Sequence, residues 1–131
     1  QDGLPAPTLI DAEVHGWDVS ETRVDLLRKG QLDPRSAVLE AWIRVERALD
    51  RAASNSGFSG RHKSPTALMK LLLEEQKITP TEVAVFHDLR ALRNEAAHAA
   101  DFSPSLTATE SYMATASRLE WALNQAETKN L

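Results

Sequence analysis

Apolar residues recur along this chain with the period of a helix. Between positions 34 and 55, Val38, Trp42, Val45, Leu49 and Ala52 follow one another at steps of 4, 3, 4 and 3. Tyr112, Ala116, Leu119, Leu123 and Ala126 repeat those steps, and Val85, Leu89, Leu92, Ala96 and Ala99 present the same spacing. Residues three and four apart share a helical face, so each run predicts a helix with one buried stripe. The core expected from these stripes contains Val38, Trp42, Val45, Leu49, Leu89, Leu92, Leu119 and Leu123. No strand-like alternation bounded by turns occurs, and no repeat of roughly 20 to 50 residues is visible.

Local chemistry sets the boundaries. Asp33-Pro34, Ser64-Pro65 and Thr79-Pro80 each place a capping side chain before a proline, whose missing N–H has no intrahelical partner at the first helical position. Thr79 with Glu82, and Thr107 with Glu110, fit the reciprocal capping box. All five glycines lie at or before Gly60 and only Pro80 and Pro104 follow Thr66, which leaves long tracts of helix formers. Helices are predicted over 20–29, 34–55, 65–76, 80–99 and 108–128, with Gly30 in the left-handed position past the first. The fold class is all-α, an antiparallel bundle of four to five helices whose longest loop is 57–63. Residues 1–18, with Pro5, Pro7 and Gly16, have no period and read as an extended lead-in; 19–131 form one domain. Trp17 in the lead-in reads as an anchor onto the bundle. Leu39 and Ile43 lie off the core stripe and imply a second buried surface, against the N-terminal segment or a second subunit.

Composition narrows the function classes. Fifteen Lys and Arg against 19 Asp and Glu give a net charge of −4, which argues against nucleic-acid binding by bulk charge but leaves a local basic site open. The absence of cysteine excludes disulfide and zinc-thiolate frameworks. No run approaches the ~18 to 20 apolar residues of a membrane span and no signal peptide is visible, so a soluble piece is expected. The chain opens on Gln1 rather than Met, which leaves an upstream targeting or membrane segment open. Glycine-rich phosphate loops, nucleophile elbows, HExxH and calcium-loop patterns are missing, and no cofactor or metal site is expected.

The chemically suggestive stretch is Leu89-Arg90-Ala91-Leu92-Arg93-Asn94-Glu95-Ala96-Ala97-His98. On a helical wheel with Arg93 at zero, Arg90 falls at about 60°, Asn94 at about 100°, His87 at about 120° and His98 at about 140°, with the apolar stripe centred at about −60°. Arg93 then flanks the core while Arg90, Asn94, His87 and His98 form one polar patch. A guanidinium that forks onto phosphate oxygens, an orienting amide and an imidazole that exchanges protons near neutrality are what phosphate chemistry requires. The same residues also suit a solvated helix face, with basic side chains at the negative helix end. Arg44, Arg47 and Arg51 share a face with Glu40, which is spaced to pair with Arg44, and read as solvated. Arg61, His62 and Lys63 read as a charged loop.

Arg93-Asn94-Glu95-Ala96-Ala97-His98 resembles the Arg, polar residue, spacer, His signature of the HEPN superfamily of helical nucleotide-binding domains. The segment from Pro34 to Leu49 is similar to the first long helix of uncharacterised bacterial members, some of them tethered to membranes, and the resemblance spans about residues 33–127. It implies a homodimer, and in catalytic members a cleft between two subunits that cuts RNA without a metal. Carried onto this chain, Arg93 would stabilise the phosphate, His98 would act as general acid or base for attack by the ribose 2′-hydroxyl, and Asn94 would orient the site, with Arg90 and His87 as binding residues. Small Ala96 and Ala97 would let a partner helix approach. A cytoplasmic protein, or one at the cytoplasmic face of a membrane, is implied. Two readings stay open: a dimeric interaction module that binds RNA or nucleotide, and a metal-independent endoribonuclease of toxin or defence type, against which the acidic net charge counts.

Overall fold

The computed structural model describes residues 18–58 and 63–126. Five helices and no strand occur among them: α1 (Asp18–Arg28), α2 (Pro34–Asn55), α3 (Pro65–Glu74), α4 (Pro80–His98) and α5 (Leu106–Gln125). No helix among them is long and apolar enough to cross a membrane. Residues 1–17 of the expected lead-in, including His15 and Trp17, lie outside the described residues, as do Arg61, His62 and the end of the 108–128 helix past Ala126; the first helix starts two residues earlier than expected and takes in Asp18, a residue expected in the lead-in.

Capping explains most boundaries. Asp33, Ser64 and Thr79 each accept a backbone N–H from three residues on, and Thr79 and Glu82 exchange both bonds of the capping box at 3.1 and 2.9 Å. The Asp33 carboxyl is held below its ordinary range, first by the Ser36 backbone N–H and then by the Ser36 hydroxyl. Gly30 takes the left-handed conformation past α1 as expected, with Gly30 and Gln31 donating back to Leu27 and Leu26. The end of α3 repeats this bonding pattern with Gln76 at φ 59°, a position where the sequence carries no glycine signal. At the other terminus that differs, Ser105 rather than Thr107 caps α5 by accepting from Ala108 N–H, so the helix starts two residues early. The Thr107–Glu110 box does not form because Glu110 accepts both donors of an Arg28 fork, each at 2.9 Å.

Helix directions follow from who meets whom. Arg23 pairs with Glu40 and Arg28 with Glu110, so α1 runs against both α2 and α5. Trp42 meets Phe86 and Arg35 meets the end of α4, so α2 and α4 are antiparallel. By contrast Arg44 meets Glu120 and Arg51 meets Asn124, which makes α2 and α5 run in the same direction along their contact. Short loops make α1 and α2, like α4 and α5, antiparallel; α3 bridges the longer step from α2 to α4.

The core lies where α2, α3, α4 and α5 converge. Val38, Trp42, Val45, Leu49 and Ala52 are all buried, as are Tyr112, Ala116, Leu119, Leu123 and Ala126. Leu68, Met69 and Leu72 of α3 complete it. The α4 stripe is rotated from expectation: Phe86 is fully buried, Leu89 and Ala96 are buried, and Val85 and Leu92 are only half-buried. The rotation seats Phe86 against Trp42, with ring centroids 5.1 Å apart and planes tilted by 41°. Leu39 is half-buried against this same core, whereas Ile43 is 44% exposed in the single chain. A smaller cluster of Leu27, Leu32, Ala37 and Met113 seats α1 on α2 and α5.

Candidate functional site

α4 presents two unlike faces to its surroundings. Inward, it offers Phe86, Leu89 and Ala96 to the core. Outward, Ala84, His87, Arg90, Ala91 and His98 are exposed and Asn94 is half-buried. Ala84, His87, Ala91, Asn94 and His98 recur at steps of 3, 4, 3 and 4, so they form a continuous stripe on the solvent side. Arg90 borders it. Among the described residues, His87, Arg90 and His98 make no side-chain hydrogen bond or ion pair; the His87 and Phe86 ring centroids lie 5.5 Å apart with their planes at 72°.

Arg93 stands between the two faces. It is half-buried, and its Nη1 donates to Asn94 Oδ1 at 3.0 Å, which joins two of the five sequence-predicted residues directly. It also lies near the Tyr112 phenol. Burial pushes that phenol above its usual range, and the charge of Arg93 opposes the push. The Tyr112 hydroxyl donates to the Leu89 carbonyl at 3.0 Å, one turn before Arg93. His98 is not brought to Arg93: five residues along one helix separate them by about 7.5 Å of rise and about 140° of rotation. The chain therefore carries an oriented guanidinium and an open imidazole without a closed pocket around both.

Arg35, one residue after the proline of α2, reaches the C-terminal end of α4. Its Nη1 donates to the Ala96 carbonyl at 2.6 Å and its Nη2 to the Ala99 and Ala100 carbonyls at 2.9 and 3.4 Å. The Phe102 ring centroid lies 5.9 Å from its central carbon. Sequence spacing gives no hint of this contact, because 61 residues separate Arg35 from Ala96. Ala96 is fully buried by the bundle and is not available to a second subunit, so of the two small residues only Ala97 is exposed.

Elsewhere, a cleft of about 280 Å³ opens between α1, α2 and α5, over Ala37, Ala41, Met113 and Ala116. The Arg23–Glu40 and Arg44–Glu120 pairs rim it, and none of the five predicted site residues lines it. These pairs also replace the expected Glu40–Arg44 bond: Glu40 turns to α1 and Arg44 to α5, where Glu120 is only 18% exposed. Arg51 likewise bonds Asn124, so Arg44 and Arg51 tie helices together while Arg47 remains exposed. No cluster of three metal-ligating side chains occurs among the described residues. No protein-family model, curated protein or solved structure matches the chain.

Proposed function

We propose that this chain is a dimeric helical module that binds RNA or nucleotide phosphate through the outward face of α4, as the resemblance to HEPN domains implies. One observation carries the reading: His87, Arg90, Asn94 and His98 occupy the face of α4 that the bundle leaves open, beside an Arg93 already held by Asn94. An arginine fork and imidazoles supply donors matched to phosphate oxygens. Exposed Ala84 and Ala91 on the same stripe permit close approach of a second α4, which would set His98 of one copy near the basic residues of the other.

Fluorescence anisotropy with a mixed-sequence single-stranded RNA tests this reading. Binding that weakens steeply with salt and is lost in the Arg90→Ala/His98→Ala double variant supports it. Light scattering should show a dimer that Ala91→Glu dissociates. A monomer at high micromolar concentration, or no binding by the wild-type protein, sinks it.

The second reading, an endoribonuclease, draws on the pairing of Arg93 with Asn94 and on the open imidazole of His98. Cleavage would survive EDTA, spare DNA and leave 2′,3′-cyclic phosphate or 3′-phosphate ends, because the 2′-hydroxyl is the nucleophile. Removing the proton-transfer group with His98→Ala would slow it by about 10²- to 10⁴-fold. Intact RNA after incubation with the verified dimer leaves the binding module as the function.

A further inference from the structure

The segment that carries Arg90, Arg93, Asn94 and His98 is held from outside α4 at both of its ends. At the start, the buried Tyr112 hydroxyl bonds the Leu89 carbonyl. At the finish, the Arg35 guanidinium gathers the carbonyls of Ala96, Ala99 and Ala100. The last carbonyls of a helix have no intrahelical donor, so the direction of the final turn is otherwise decided by water and fraying. A planar guanidinium is suited to fixing it, since its donors point in set directions and the Phe102 ring beside it limits its rotation. His98 lies between the first and second of these anchored carbonyls.

We propose that Arg35 is a positioning residue for the α4 site: by closing the end of α4 it sets where the His98 imidazole stands relative to Arg93. The inference rests on reading the outward face of α4 as the phosphate site. Arg35 itself touches no ligand, because both of its terminal nitrogens are committed to carbonyls. Its charge is not enough for the task. A lysine ammonium keeps the charge but lacks the planar fork that spans carbonyls from the helix and from the loop after it.

The test compares the wild-type protein with Arg35→Lys, His98→Ala and the double variant. The first measurement is the NMR signal of the His98 ring, with amide exchange at 97–100. Arg35→Lys should shift the His98 ring signals and speed exchange at 97–100, while the ring signals of His87, about three turns earlier on α4, stay in place. The second is affinity for a fluorescent 2′-O-methyl RNA of mixed sequence, which cannot be cut through its 2′ oxygen. Arg35→Lys should weaken binding by about five- to tenfold, and the double variant should bind no more weakly than His98→Ala alone. A generally loosened fold would instead move His87 as well and give additive losses. Unchanged His98 signals in Arg35→Lys, or additive losses, overturn the proposal. If the wild-type protein binds no RNA, the functional reading falls, and the His98 signals alone decide whether Arg35 positions that ring. Phe102→Leu, which removes the ring beside the guanidinium, should shift His98 in the same direction by a smaller amount.

Discussion

The two faces of α4 are built from neighbouring residues and obey opposite rules. Phe86, Leu89 and Ala96 are buried among α2, α3 and α5, where each side chain is fixed by its neighbours' shapes. Arg90, Ala91, Ala97 and His98, interleaved with them in sequence, meet solvent. The first face holds the packing and the second carries the proposed phosphate site, so substitutions that separate the two are available within a single helix. Arg93 is the exception. It shares the boundary with Tyr112 and Asn94, so changing it disturbs both.

The largest expected effect falls on the inward side. Phe86→Ala and its ring partner Trp42→Ala should each cost about 3 to 5 kcal/mol through lost burial and a residual cavity. His98→Ala and Arg90→Ala should stay within about 0.5 kcal/mol of the wild type, as exposed positions without partners do. Urea denaturation of the four variants measures this, and a costly His98→Ala would show that the outward face is structural after all.

A finer contrast uses adjacent alanines. Ala96→Leu forces extra methylenes into a filled core and should destabilise by about 1 to 3 kcal/mol. Ala97→Leu, whose side chain projects to solvent, should leave the melting temperature of the unliganded protein nearly unchanged. Similar losses in both would mean that α4 is rotated relative to the packing described above.

The smallest effect concerns the charged ties at the helix ends, away from both faces. The Arg28 fork holds the Glu110 carboxyl below its ordinary 4.5, and Ser36 holds Asp33 below 3.8. A carboxyl depressed in the folded state binds its proton less tightly than in the unfolded chain. Its contribution is therefore present above the ordinary carboxylate range and is lost as pH falls through the depressed value. Thermal melts should show stability declining below about pH 4, with a shallower decline in Arg28→Gln. An identical decline in that variant would assign the acid sensitivity to other groups.

Much of the fold was legible in the sequence because it is written in local chemistry. Asp33, Ser64 and Thr79 announced three helix starts through side chains that bond amides three residues away, and Gly30 announced a helix end through its freedom at positive φ. The stripes of α2 and α5 were equally readable, since both helices bury the face that their spacing defines. The patch on α4 was legible as a group of residue types, and helical geometry alone places Arg90, Asn94, His87 and His98 on one side.

Contacts between helices decided the rest. Whether the α4 stripe centres on Leu92 or turns toward Phe86 depends on where Trp42 stands, 44 positions earlier in the chain. The parallel course of α2 and α5, the diversion of Glu110 to Arg28 and the reach of Arg35 to the end of α4 are likewise pairings across long sequence separations. Periodicity states which face of a helix is apolar, but it carries no term for the partner that the face meets. Only the packed structure supplies that partner, because shape and charge complementarity exist between surfaces and not within one.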